Sequence, residues 1–147
     1  MKAVAIDLDA VLGDTGPLFR AWLDDAARRA HVDLDDADET ALDERLGNWR
    51  PLLERFAEDR APAYLRPRGE ANAALRRLGA GGVRLGAFTG APEPLARVAA
   101  SQLGASRLLE ALEAGPGALE RLLERLGPGA VVVRSLGELA SAGLPGG

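Results

Sequence analysis

The chain has 147 residues, 47% of them hydrophobic and 27% charged, which is the make-up of a globular domain with room for one core and a small insertion. A formal charge of -4 and a pI near 5.1 argue against the basic face of a nucleic-acid-binding protein. The absence of cysteine excludes disulfides, thiolate metal sites and a cysteine nucleophile. No apolar stretch reaches the roughly 18 residues of a membrane span, and Met1-Lys2-Ala3 leads straight into a strand. The expectation is a cytoplasmic protein without leader or membrane contact.

The first predicted element is the apolar run Ala3-Val4-Ala5-Ile6, which lacks polar alternation and reads as a strand buried on both faces of a parallel sheet. It delivers Asp7-Leu8-Asp9 and then Val11-Leu12-Gly13-Asp14-Thr15. Open α/β sheets place their ligands at such strand ends. Two carboxylates brought together there are costly unless a cation or a reaction uses them.

Residues 16–65 contain no strand-like run and read as helices. Pro17 suits a first turn, and Leu18, Phe19, Trp22, Leu23, Ala26 and Ala27 follow at helical spacing. Asp35-Asp36-Ala37-Asp38-Glu39 reads as an acidic helix start, and Asn48 as the cap of a third helix with Pro51 in its first turn and Leu52, Leu53 and Phe56 on one face. Trp22, Trp49 and Phe56 are expected in the core of this block, and His31 at a solvated helix end. Residues 33–44 hold seven acids and no base, which reads as a solvated face, with a basic partner as the alternative.

From about residue 66 the pattern alternates between helix and strand. A helix over 70–78 closes at Gly79-Ala80-Gly81-Gly82, and a strand over 83–88 ends at Thr89-Gly90. Pro92 or Pro94 starts a helix reaching about residue 103, and 108–112 reads as a short edge strand. A helix over 119–126, a strand over 130–133 and two helical turns over 136–142 complete the order. The glycine-rich stretches 79–82 and 143–147 lack phosphate-loop spacing and read as turns. Short loops between alternating strands and helices imply a three-layer parallel sheet. The 16–65 block then stands above the strand ends as a lid.

The run Asp7-Leu8-Asp9-Ala10-Val11-Leu12-Gly13-Asp14-Thr15 resembles the opening motif of the haloacid dehalogenase (HAD) superfamily, Asp-x-Asp-x-Thr/Val-Leu-x-Asp-Ser/Thr, with Ala10 in place of the usual glycine. A helical block after it and a second strand ending in Phe88-Thr89-Gly90 extend the resemblance in order along nearly the whole chain. It implies a Rossmann-like HAD core over 1–15 and 66–147 and a helical cap over 16–65. It further implies that Asp7 is the nucleophile forming an aspartyl-phosphate and that Asp9 is the acid and base. Thr89 and Gly90 would hold phosphate oxygens. Mg2+ would sit on Asp7 and the Asp9 carbonyl, with Glu138 as a further acid.

Two motifs depart from the family. A lysine or arginine is expected before the last helix–strand unit, where Gly115-Pro116 stands, with Arg107 and Arg121 as the basic residues nearby. An aspartate is expected after the last strand, where Arg134 stands, with Glu138 in place of the second acid. An attacking carboxylate and a phosphate repel by about 4 kcal/mol per unit charge pair at about 4 Å. Each lost electrostatic partner costs about 2.7–4 kcal/mol of transition-state stabilisation, so losing two lowers the rate roughly 10^4- to 10^6-fold.

Two readings follow. One is a weak or impaired HAD-type phosphatase, with Mg2+ as cofactor if active and a small phosphorylated molecule as substrate. The other is a binding or regulatory protein needing no cofactor, in which Arg134 pairs with Asp7 or Asp9 in the metal's place and the partner is a protein or a second copy. A receiver domain is disfavoured, because its acceptor aspartate after a central strand and its late lysine are both missing.

Overall fold

In a computed structural model, which describes residues 3–142, the first apolar run becomes β1 (Ala3–Asp7), a central strand. The pleat sends Val4 and Ile6 to one face and Ala3 and Ala5 to the other. The remaining strands are β2 (Arg84–Thr89), β3 (Ala111–Ala114) and β4 (Ala130–Val133), all parallel in the order β3-β2-β1-β4. This is the expected three-layer α/β sheet.

Helices cover both faces. Leu122 and Leu126 of α7 (Ala118–Leu126) pack on the face carrying Ala3, Ala5, Phe88 and Ala111. A glycine lets α7 approach: a Cβ at Gly86 would lie 2.6 Å from Leu122 Cδ1. On the opposite face lie α5 (Gly69–Ala80), α6 (Glu93–Gln102) and α8 (Leu136–Ser141), with α8 against α5.

Between β1 and α5 the chain forms α1 (Leu8–Val11), α2 (Gly16–Ala30), α3 (Glu39–Leu46) and α4 (Arg50–Tyr64). Pro17 and Pro51 occupy the first turns of α2 and α4, where a missing N–H costs nothing. Trp22 and Trp49 are buried, with rings 5.8 Å apart, and α4 lies along α6. Residues of the insertion and of the Val4–Ile6 sheet face share one hydrophobic cluster. His31 ends α2 in the left-handed conformation, exposed as expected.

Several boundaries differ from the sequence reading. The third strand is displaced from 108–112 to Ala111–Ala114, with Ala111 opposite Gly86. Leu108 and Leu109 pack on the core from a turn, and an apolar pair does not distinguish that from a strand. Trp49, not Asn48, stands at the start of α4, because the Trp49 indole N–H and Arg50 both donate to Asp43 and fix the turn there. The second helix of the insertion begins at Glu39, after Asp38 accepts a capping bond from the Ala41 N–H at 2.8 Å; Asp35 and Asp36 form a turn. The turn read at 143–147 lies outside the described residues.

Candidate functional site

The C-terminal ends of β2, β1 and β4 lie side by side, with Asp7 opposite Phe88 and Ile6 opposite Val133. That register brings together Asp7, Thr89 and Arg134, the residues on which each strand ends or which follow it. The chain leaves β1 toward β2, while its other neighbour, β4, arrives from β3 across the sheet. Such a switch in strand order is where open α/β sheets form their ligand crevice.

Asp7 caps α1, its Oδ1 accepting from the Ala10 N–H at 3.3 Å. Its Oδ2 faces Arg134 Nη1 at 3.4 Å, and the Asp7 side chain is 22% exposed. The guanidinium also lies over the Phe88 ring, 5.4 Å from its centroid, a cation–π contact that holds it at this strand end.

Asp9 is held more tightly. Its Oδ1 accepts from the Thr15 N–H at 2.8 Å and the Thr15 hydroxyl at 2.6 Å. Its Oδ2 accepts from the Thr89 hydroxyl at 2.5 Å. Thr15 and Thr89 are both buried. In this arrangement the single proton of Thr89 is given to Asp9, so holding a phosphate oxygen would require that bond to be exchanged. Gly90, beside it, is exposed. Arg68 donates to the carbonyls of Ala10 and Val11 and braces α1 from the start of α5.

The loop carrying Gly115-Pro116 holds no lysine or arginine at the place the resemblance implies one. Gly115 sits at φ +80°, in the left-handed region that disfavours side chains, and a Cβ there would lie 3.0 Å from Glu39 Oε2. The insertion therefore reaches the strand ends through Glu39, which also accepts from Arg50 at 3.1 Å. Hydrogen bonds from the Trp49 indole and Arg50 hold the Asp43 carboxyl below the usual aspartate range. Arg121 does not reach the carboxylates: it donates to Glu113 and to the carbonyls of Ala114 and Pro116. Arg125 and Arg121 hold the Glu113 carboxyl below the ordinary glutamate range by hydrogen bonding to it. Arg107 precedes β3 and so lies toward the N-terminal ends of the strands, away from the carboxylates.

Glu138 is likewise occupied elsewhere. Ser135 caps α8 by accepting from the Glu138 N–H at 3.1 Å, and its hydroxyl donates to Glu138 Oε1 at 3.4 Å. Among the described residues no three of His, Cys, Asp and Glu converge as a metal site, and Glu138 does not stand with Asp7 and Asp9 in this arrangement. Mg2+ takes oxygen ligands in an octahedral array. A guanidinium on Asp7 and a third acid turned to a helix cap do not fit that ion.

Thr15 could be read from the opening motif, whereas Glu39 and Arg50 were missed as site neighbours. No spacing signal links Glu39 to Gly115, because packing of the insertion alone brings them together.

The fold is shared with solved structures. One, assigned as a β-phosphoglucomutase of Thermotoga maritima, superposes with a TM-score of 0.59 at 20% identity, over 97% of this chain and 81% of that one. CbbY of Rhodobacter sphaeroides, in complex with phosphate, superposes with a TM-score of 0.64 at 16% identity, over 95% of this chain and 83% of that one. No family model matches the sequence, and no curated protein matches it. At these identities the likeness is one of fold.

Proposed function

We propose that the chain, on the fold it shares with these two structures, is a phosphomonoester phosphatase homologue of haloacid dehalogenase type with impaired turnover. The observation that carries this reading is the Arg134 guanidinium 3.4 Å from Asp7 Oδ2, where the resemblance implies a metal-binding acid. In the reaction of this fold, the carboxylate at the Asp7 position attacks phosphorus. The bond to the leaving oxygen breaks, and the acid at the Asp9 position supplies its proton. Arg134 neutralises the Asp7 charge, which lessens its repulsion of an incoming phosphate. The same pairing stabilises the resting carboxylate and so weakens it as a nucleophile. The ligand class proposed is a small phosphorylated molecule, and the phosphate held by CbbY supports that class on this fold.

A non-enzymatic binding role is the second reading, favoured by Asp9. Its two oxygens accept three hydrogen bonds from Thr15 and Thr89, so the scaffold engages this side chain.

The test is hydrolysis of an aryl phosphate with Mg2+ by the wild type and by Asp7→Asn. A wild-type rate above the variant's background but roughly 10^4-fold or more below that of an active enzyme supports impaired turnover. Equal, negligible rates select the binding role. Saturable Mg2+ binding by calorimetry at physiological concentration, abolished by Asp7→Asn, would overturn the Arg134-neutralised site. Arg134→Asp is expected to gain that binding.

A further inference from the structure

Away from the carboxylates, α2 and the 32–38 loop enclose a groove of about 590 Å³. Phe19, Leu23 and Ala27 recur every four residues along α2 and, with Val32, line it with half-buried apolar surface. This stripe runs about 12 Å along the helix axis. Around it stand Asp24, Asp33, Asp35, Asp36 and Asp38. None of these five carboxylates has an ion-pair partner among the described residues, although many acids elsewhere are paired. The one base in the lining is Arg20, whose guanidinium lies beside Gly16 at one end; Arg45 stands at the rim, donating to the Asp33 carbonyl at 2.8 Å.

The charge count singles out this groove. One arginine against five aspartates gives it -4, equal to the formal charge of the whole chain, so the other 17 bases and 17 acids balance. Like charges gathered on one rim repel each other, and a cationic partner relieves that repulsion while covering the apolar stripe.

We propose that this groove docks an amphipathic helix of a protein partner, with apolar side chains on the Phe19–Leu23–Ala27 stripe and lysines or arginines against the aspartate rim. Apolar anchors at i, i+4 and i+7 of such a helix match a stripe of this length, and flanking cations meet carboxylates on both walls. This surface is independent of the Asp7 site and of any turnover there.

The test uses the full chain and a fluorescent peptide of about 14 residues, with leucines at helical i, i+3, i+4, i+7 spacing and lysines elsewhere. A control peptide has the same composition with the leucine spacing scrambled. Anisotropy is expected to show saturable one-to-one binding of the first peptide. That binding should weaken about tenfold in Asp35→Asn/Asp36→Asn and about tenfold in Leu23→Ser. Glu58→Gln/Asp59→Asn, on α4, should leave it unchanged. Asp35 and Asp36 are exposed, so the double variant keeps the experiment decisive even where Leu23→Ser does not fold. Equal binding of the scrambled peptide, no saturation, or an unchanged affinity in Asp35→Asn/Asp36→Asn overturns the proposal. So does sedimentation showing a dimer of this chain that the same double variant dissociates, because the occupant is then a second copy.

Discussion

Around the C-terminal ends of the sheet, the 7–15 segment with Thr89 keeps the side chains that the resemblance implies, whereas 113–117 and 134–138 replace them. In the first region the polar atoms serve site and scaffold together. Asp9 joins the start of α2 to the end of β2 through Thr15 and Thr89. In the second region the corresponding groups serve the scaffold: Arg121 clasps its own loop, and Glu138 belongs to the cap of α8. Arg134, between the two, supplies a fixed positive charge that ties β4 to Asp7. An intact motif at a strand end can thus be maintained by structural bonds alone. Presence of the two aspartates is therefore weak evidence for the reaction.

The largest expected effect separates the two aspartates. Asp9→Ala leaves the buried Thr15 and Thr89 hydroxyls without their acceptor. Orphaned buried polar groups cost about 1–3 kcal/mol each, so the variant should lose about 3 kcal/mol of unfolding free energy. Asp7→Ala removes a 3.3 Å capping bond and a 3.4 Å pair with an exposed arginine, and should cost about 1 kcal/mol or less. Denaturant titration of both variants checks the ranking. Equal losses would mean that Asp9 is held no more tightly than Asp7.

The sequence disclosed most where the signal is local. The apolar run Ala3–Ile6 reads as a buried strand, and the parallel sheet followed from alternation of elements, whereas the order β3-β2-β1-β4 did not. The meeting of Arg134 with Asp7 was legible because residues after adjacent parallel strands share one edge. The start of β3 was not legible, since Leu108 and Leu109 are apolar in a turn as they would be in a strand. Nor was the contact of Glu39 with Gly115, which depends on how the insertion, with α4 packed on α6, is seated, and no residue spacing encodes that.

That contact supports the next prediction, which sharpens the contrast at the Gly115 loop. Gly115→Ala places a methyl group at φ +80° and 3.0 Å from Glu39 Oε2. Left-handed backbone costs a non-glycine residue about 1–2 kcal/mol, and the crowded carboxylate must move as well. A destabilisation of about 2 kcal/mol is expected. Adding Glu39→Ala should relieve the steric part and leave the backbone part. If Gly115→Ala is neutral, the loop is not seated against the insertion.

The smallest effect tests whether Arg121 and Arg125 hold Glu113 as a structural clasp. Their guanidinium groups lie 2.9 Å and 2.6 Å from its carboxylate oxygens, and hydrogen bonding from Arg125 and then Arg121 depresses its pKa in the folded chain. An unfolded glutamate titrates near its ordinary value of 4.5. A depressed folded pKa means that the unfolded chain takes up the proton first as pH falls. The clasp therefore contributes fully above pH 4.5 and is lost progressively as pH drops below it through the folded value. Both arginines are half-exposed, so the contribution is about 1 kcal/mol or less. Glu113→Gln cannot titrate and should flatten that part of the stability-versus-pH curve, with little change in its slope above pH 6. An unaltered acid limb in the variant would mean that Arg121 is free of the clasp, which would return it to the candidates for the missing cation.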